Sequence, residues 1–226
     1  MLQKKDFIEI EYTARVKGGE IFDSNIKEDL EKLHHGHDHE ISAEPFVFCL
    51  GEGMFLPAID NFLIGKPDAQ ATYEIPLSPE NAFGKRNPDL IQRIPVKLFR
   101  EQSLNPVPGF IFNFDGRIGK VLASSGGRVI VDFNNPVSGK EVVYTVKLIR
   151  KIDDLNEKIK ALIRFLFQRD LKFETRDKAV IIEVEKQMMG FVNLFKDKFK
   201  DILDLELEAR EMESAKSEEN AGKVND

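Results

Sequence analysis

Four histidines fall within six residues, His34-His35-Gly36-His37-Asp38-His39, with one carboxylate among them. Imidazole suits both Zn²⁺ and Ni²⁺, and alternate residues of such a run can reach one ion. The plainer alternative is a solvated loop that takes up metal only adventitiously, and neither reading implies a catalytic metal. Aromatic rings are the second chemical resource: phenylalanine occurs 18 times and tryptophan never, which suits a protein that offers apolar ring surfaces without indole donors. Cys49 is the single cysteine, so no intramolecular disulfide is expected.

The elements that must position these groups follow from periodicity. Phe7 to Val16 alternates at period two and reads as a half-buried strand, Lys17-Gly18-Gly19-Glu20 as a turn, and Ile21-Phe22-Asp23-Ser24 as the second arm of a hairpin. From Asn25 to Glu44 the chain is polar. Pro45 to Gly51 reads as another strand, and Leu56, Ile59, Phe62 and Leu63 have the spacing of a short helix stopped by Gly65. Ala71 to Leu77 is a further strand, leading into a loop with Pro79 and Gly84, and Glu141 to Ile149 alternates cleanly enough to complete an antiparallel sheet.

Between these lies a segment, roughly Asn87 to Phe133, that reads as a separate small unit. It has a helical turn at Pro95 to Phe99 and strands at 110–114, 118–122 and 128–133, joined by the tight-turn pairs Asp115-Gly116 and Gly126-Gly127. After Ile152, Asp153 can cap a helix with apolar positions Leu155, Ile159, Leu162, Ile163 and Leu166. A strand pair follows around Arg176-Asp177-Lys178, then a second helix over Gln187 to Glu211, and from Ser214 a charged, disordered tail.

Composition sets the outer limits. The chain of 226 residues is 42% hydrophobic and 32% charged with a net charge of −6, ordinary for a protein with a buried core. That charge argues against nucleic-acid binding, which needs a concentrated positive surface. No apolar stretch approaches the roughly 20 residues that span a bilayer. The N-terminal residues run into alternation and not into an apolar signal segment, so a cytoplasmic location is expected.

Four blocks in order resemble the FKBP family of peptidyl-prolyl cis-trans isomerases. They are Tyr12-Thr13 with Gly19-Glu20-Ile21-Phe22-Asp23-Ser24; Pro45 to Gly51 with its short helix; Pro79-Glu80-Asn81-Ala82-Phe83-Gly84; and Phe133 to Lys140 running into Val143-Tyr144-Thr145-Val146. The last block and the segment before it resemble the SlyD-like branch, whose flap carries an inserted chaperone domain. The added C-terminal region resembles long-type archaeal members. The resemblance implies an α+β fold: an FKBP-like antiparallel half-barrel wrapped on a short helix (residues 1–86 and 134–152), an inserted β-rich chaperone domain (87–133), a C-terminal α-β-β-α domain (153–213) and a tail (214–226).

It also implies roles. Asp23, Tyr12, Phe83 and Tyr144 correspond to catalytic positions, and Phe22, Phe46, Phe55, Leu56 and Ile59 to substrate-binding ones. Ile59 forms the pocket floor, Leu56 offers its backbone N–H to a substrate carbonyl, and Asp23 lies near the rotating amide and bonds to Tyr12. Phe83 stands where the family usually has Tyr, losing a hydroxyl donor. Taken singly, Phe22, Phe46 and Tyr144 read as core residues and Asp23 as a turn residue; their joint occurrence carries the pocket reading. No cofactor is required, Zn²⁺ or Ni²⁺ being expected only at His34, His35, His37 and His39. The implied partners are unfolded or partly folded proline-containing polypeptides, and a second copy through the Phe-rich C-terminal region, which has more apolar surface than about 60 residues usually bury alone. The rival readings are a binding chaperone with weak isomerase activity and a metal-handling accessory protein.

Overall fold

The computed structural model describes residues 1–33 and 43–212. The four histidines expected to bind metal, and the tail from residue 214, lie outside the described residues.

The first sheet has five strands. β1 (Phe7–Val16) turns through Gly18, whose φ of +70° is the left-handed geometry glycine tolerates best, and pairs antiparallel with β2 (Ile21–Ser24). A register shift between Ala14 and Arg15 bulges the hairpin. Next comes α1 (Lys27–Leu33), where the sequence predicted only polar chain. It buries no residue, so it leaves no apolar period to read; Thr13 Oγ1 of β1 hydrogen-bonds Asp29 Oδ2 at 2.5 Å and ties it down. β3 (Phe46–Cys49) pairs with β1; α2 (Pro57–Leu63) packs near β4 (Ala71–Leu77) through the Phe62 and Tyr73 rings; and β9 (Val142–Ile152) lies between β1 and β4 in the order β2-β1-β9-β4.

A second sheet interrupts the chain between β4 and β9. β5 (Ile91–Pro95), β6 (Ile111–Phe114), β7 (Arg117–Ser125) and β8 (Arg128–Asp132) form antiparallel pairs in the order β5-β8-β7-β6. The sequence reading missed β5 and saw only the helical turn that follows it, α3 (Val96–Glu101). Phe99, Val121, Val129 and Val131 form a core of their own, with Ile94, Val96, Leu104, Phe112, Phe114 and Phe133 packed against it. Gly119 is part of that packing: a Cβ there would meet Val131 Cγ1 at 2.6 Å and the Phe133 ring at 2.8 Å. On β6 the even residues face this core and the odd ones face outward, leaving Ile111 61% exposed; Ile118 of β7 is 56% exposed, and Phe110 and Leu122 are exposed beside them.

The C-terminal region corrects two expectations. Asp154, not Asp153, caps α4 (Leu155–Phe167), its carboxylate accepting from the Glu157 N–H at 2.8 Å. The expected helix over 187–211 is instead a 3-10 turn (Lys186–Met188), two short helices, α5 (Met189–Asn193) and α6 (Lys196–Leu203), and a strand, β12 (Glu206–Glu211). Asp204 in left-handed geometry (φ 55°) stops α6, and beyond it Leu205, Leu207 and Ala209 alternate with charged residues, a strand period. The region is therefore not α-β-β-α. β10 (Phe173–Arg176) pairs antiparallel with β11 (Ala179–Val184), and β12 pairs parallel with β11, a pairing that needs the long helical crossover between them.

By contact density the chain divides into two units. One comprises residues 1–2, 9–46 and 55–150, with Ile10, Ala14, Ile59, Leu63, Val142, Val146 and Leu148 in its interior. The other comprises 3–8, 47–54 and the chain from 151, burying Phe7, Ile8, Phe48, Ile159, Leu162, Val180, Ile182 and Phe199. Within this second unit Lys5 Nζ reaches the Asp201 carboxylate at 2.8 Å and Lys198 pairs with Glu52 at 3.0 Å. Among the described residues no helix is long and apolar enough to cross a membrane.

Candidate active site

Strand alternation aims the first two rings. Tyr12 shares a face of β1 with Ile8, Ile10 and Ala14, and Tyr144 shares a face of β9 with Val142, Val146 and Leu148. Around them the structure gathers four more rings: Phe22 from β2, Phe46 from the start of β3, Phe55 from the turn before α2, and Phe83 from the loop after β4. Ring centroids are 5.2 Å apart for Tyr12 and Phe55, 5.4 Å for Phe46 and Phe55, 5.8 Å for Phe55 and Tyr144, and 5.6 Å for Phe22 and Phe83. All six belong to one continuous cluster. Tyr12, Phe22, Phe46, Phe55 and Phe83 are half-buried, while the Tyr144 ring and Ile59 are buried. The result is an open apolar surface with a buried floor.

Polar groups are few and specific. Tyr12 Oη donates to Asp23 Oδ2 at 3.1 Å. Asp23 keeps much of its surface exposed, yet its carboxyl is held above the usual carboxylate range, chiefly by partial desolvation; the bonds from Tyr12 and from the Ser24 N–H oppose this without cancelling it. Burial, reinforced by the Asp23 charge, pushes the Tyr12 and Tyr144 phenols upward, so both stay protonated. Leu56 sits at the N-terminal edge of α2, where its carbonyl accepts from the Ile59 and Asp60 N–H groups at 2.9 and 3.1 Å. Its own N–H has no acceptor among the described residues.

Several supporting residues escaped the sequence reading. Asn25 extends the hairpin ladder with its side chain: Oδ1 accepts from the Tyr12 N–H at 2.7 Å, and Nδ2 donates to the Ile10 and Glu44 carbonyls at 3.0 and 3.2 Å. Ser24 Oγ donates to the Tyr12 carbonyl at 2.8 Å. Phe83 is held from behind: the Gly84 N–H returns to the Pro79 carbonyl, Ser138 Oγ donates to the Phe83 carbonyl at 3.0 Å, and the Gly139 N–H donates to the Gly84 carbonyl at 2.8 Å. At the roots of the second sheet, Arg86 pairs with Asp132, and Asn87 and Asn134 bond each other twice. Nothing in the spacing of these polar residues distinguishes them from ordinary turn residues. Among the described residues no group of three or more His, Cys, Asp or Glu side chains could hold a metal ion.

Comparison with known proteins agrees with this geometry. The family described as "FKBP26, IF domain" matches residues 92–137, which contain most of the second sheet. A short-type peptidyl-prolyl cis-trans isomerase of Methanocaldococcus jannaschii is 29% identical over 149 residues, covering 66% of this chain and 92% of that protein. A probable FKBP-type 16 kDa isomerase of Pseudomonas fluorescens is 34% identical over 116 residues, covering 50% of this chain and 76% of that protein. The FKBP-type isomerase SlyD of Vibrio cholerae is 26% identical over 153 residues, covering 66% and 67%. With this ring cluster, these identities and these coverages, the chain belongs to the FKBP-type peptidyl-prolyl cis-trans isomerases, and it is similar at lower identity to those named SlyD.

Proposed function

We propose that the ring cluster binds a prolyl residue of an unfolded or partly folded polypeptide and catalyses rotation about the preceding imide bond. Amide resonance sets a barrier of about 18–20 kcal/mol to that rotation. No bond to the substrate has to form. A catalyst needs a dry surface that grips the pyrrolidine ring and polar groups that favour the twisted imide over the planar one. Twisting withdraws nitrogen donation from the carbonyl carbon and leaves it more positive, a change that the Asp23 carboxylate favours. The continuous cluster of six rings, with the Asp23 carboxylate bonded to it through Tyr12, is the observation that carries this reading. Tyr12, Asp23, Phe83 and Tyr144 are the catalytic residues in it; Phe22, Phe46, Phe55, Leu56 and Ile59 bind substrate.

Residues 87–133 act, in this proposal, as a chaperone unit that holds client chain and raises the concentration of its prolines near the isomerase residues of 1–86 and 134–152. The outward side chains Phe110, Ile111, Ile118 and Leu122 support it, because a small sheet with a core of its own gains nothing from leaving them in water. Ile111→Lys with Ile118→Lys tests the division of labour. Turnover of a short proline peptide stays as in wild type, while proline-limited refolding of a protein substrate slows. Equal losses on both substrates refute it.

A second reading, a holdase with weak turnover, draws on the missing hydroxyl at Phe83. Acceleration of refolding at substoichiometric protein decides for catalysis, and suppression of aggregation alone decides for the rival. The region 153–213 is proposed to pair with a second copy through its exposed Phe191 and Leu194.

A further inference from the structure

We infer that the Tyr144 hydroxyl is the side-chain donor this enzyme directs at its substrate; the inference rests on the isomerase reading of the ring cluster. A prolyl segment brings carbonyl acceptors and, at proline itself, no N–H. A site that recognises it needs donors. Of the six rings only Tyr12 and Tyr144 carry hydroxyls, and Tyr12 commits its proton to Asp23.

Tyr144 is different. Its ring lies in the middle of the cluster, 6.1 Å from Tyr12, 6.2 Å from Phe22 and 5.8 Å from Phe55, and the residue is 2% exposed. Its hydroxyl has no hydrogen-bond partner among the described residues, yet the oxygen is not sealed in the interior. Phenylalanine would pack the same ring and give up no hydrogen bond within the described protein, so what the hydroxyl adds is a polar group directed outward. A hydroxyl kept on those terms opens toward the surface where substrate binds. Burial and the Asp23 charge hold the phenol protonated, so it donates throughout the neutral range. Phe22 makes edge contacts with both Tyr144 and Phe83, at 6.2 and 5.6 Å, so strand and loop flank one ring and a hydroxyl can be offered from either side. With Phe83 mute, the strand side supplies it. Together with the Leu56 N–H, which has no acceptor among the described residues, this gives the cluster two donors for one acceptor-rich ligand.

The test compares wild type, Tyr144→Phe, and Tyr144→Phe combined with Phe83→Tyr on a proline tetrapeptide, with a thermal melt of each full-length protein. Loss of one neutral hydrogen bond lowers kcat/KM by about five- to ten-fold in Tyr144→Phe. Its melting temperature stays the same, because no hydrogen bond within the described protein is lost, and Phe83→Tyr restores turnover by returning a hydroxyl from the loop. Activity of Tyr144→Phe within two-fold of wild type overturns the inference. So does a loss that accompanies a lowered melting temperature and is not restored by Phe83→Tyr. Absence of turnover in wild type overturns the isomerase reading itself, and this inference with it.

Discussion

Replacing Asp23 by asparagine keeps the shape of the side chain and an oxygen to accept from Tyr12, and removes only the charge. In the proposed reading the rotating imide comes within about 4 Å of the carboxylate, the range of direct side-chain contact. Two unit charges at that distance interact by about 4 kcal/mol at an effective dielectric near 20. The twisted imide develops a fraction of a charge; at roughly one third, the carboxylate favours it by about 1.3 kcal/mol, or about tenfold in rate. Asp23→Asn therefore lowers kcat/KM about tenfold on a proline tetrapeptide followed by exchange spectroscopy. The pH profile carries a second signature. Partial desolvation raises the Asp23 pKa above its ordinary 3.8, so wild-type activity declines on the acid side sooner than an ordinary aspartate would allow, and Asp23→Asn lacks that limb. For stability the sign is opposite to that of a salt-bridged carboxylate. The folded state holds this proton more tightly than the unfolded one, so Asp23 costs stability above its folded pKa, and the cost vanishes as pH falls below the unfolded value. At neutral pH Asp23→Asn consequently melts no lower than wild type. Activity within two-fold of wild type, or an acid limb that persists unchanged in the variant, refutes the reasoning.

Gly119→Ala forces a methyl against Val131 and Phe133 and destabilises the second sheet by about 1–3 kcal/mol, read by hydrogen exchange of β7 and β8, with slower refolding of protein clients. Asp154→Ala removes the cap of α4 and costs about 1 kcal/mol in denaturant unfolding. Leu194→Lys, at a residue 74% exposed, shifts sedimentation toward monomer without lowering the melting temperature of the monomer; unchanged sedimentation excludes this face as the contact. Joint replacement of His34, His35, His37 and His39 by alanine abolishes Ni²⁺ uptake in calorimetric titration and leaves peptide turnover as in wild type.

The members of the ring cluster were legible through the family resemblance of their sequence blocks; type and period alone place Tyr12 and Tyr144 on alternating strands and Phe22 and Asp23 after a glycine turn, and would leave them as core or turn residues. The polar scaffold was not. Asn25, Ser24 and Ser138 act through backbone atoms of residues distant in sequence or across a hairpin, and a hydrogen bond of that kind leaves no pattern in the chain. α1 escaped because it rests on Thr13 and Asp29 and buries nothing. The region 187–211 was misread as one helix because Phe191, Leu194, Phe195, Phe199 and Ile202 do recur at helical spacing. The stop at Asp204 depends on a left-handed residue other than glycine, and β12 takes its meaning from its partner β11. Local preference and tertiary pairing compete there, and pairing wins.

The parallel docking of β12 on β11 has a consequence for how the molecule is made. Phe7, Ile8 and Phe48 are packed in a unit whose last strand is made roughly 160 to 200 residues after them, a wait of about 8–40 s at about 5–20 residues per second. Until that strand is made, the unit that packs these side chains is incomplete. A folding helper of this design thus spends its own birth as an incomplete chain, and one cut short before Glu206 would stay that way.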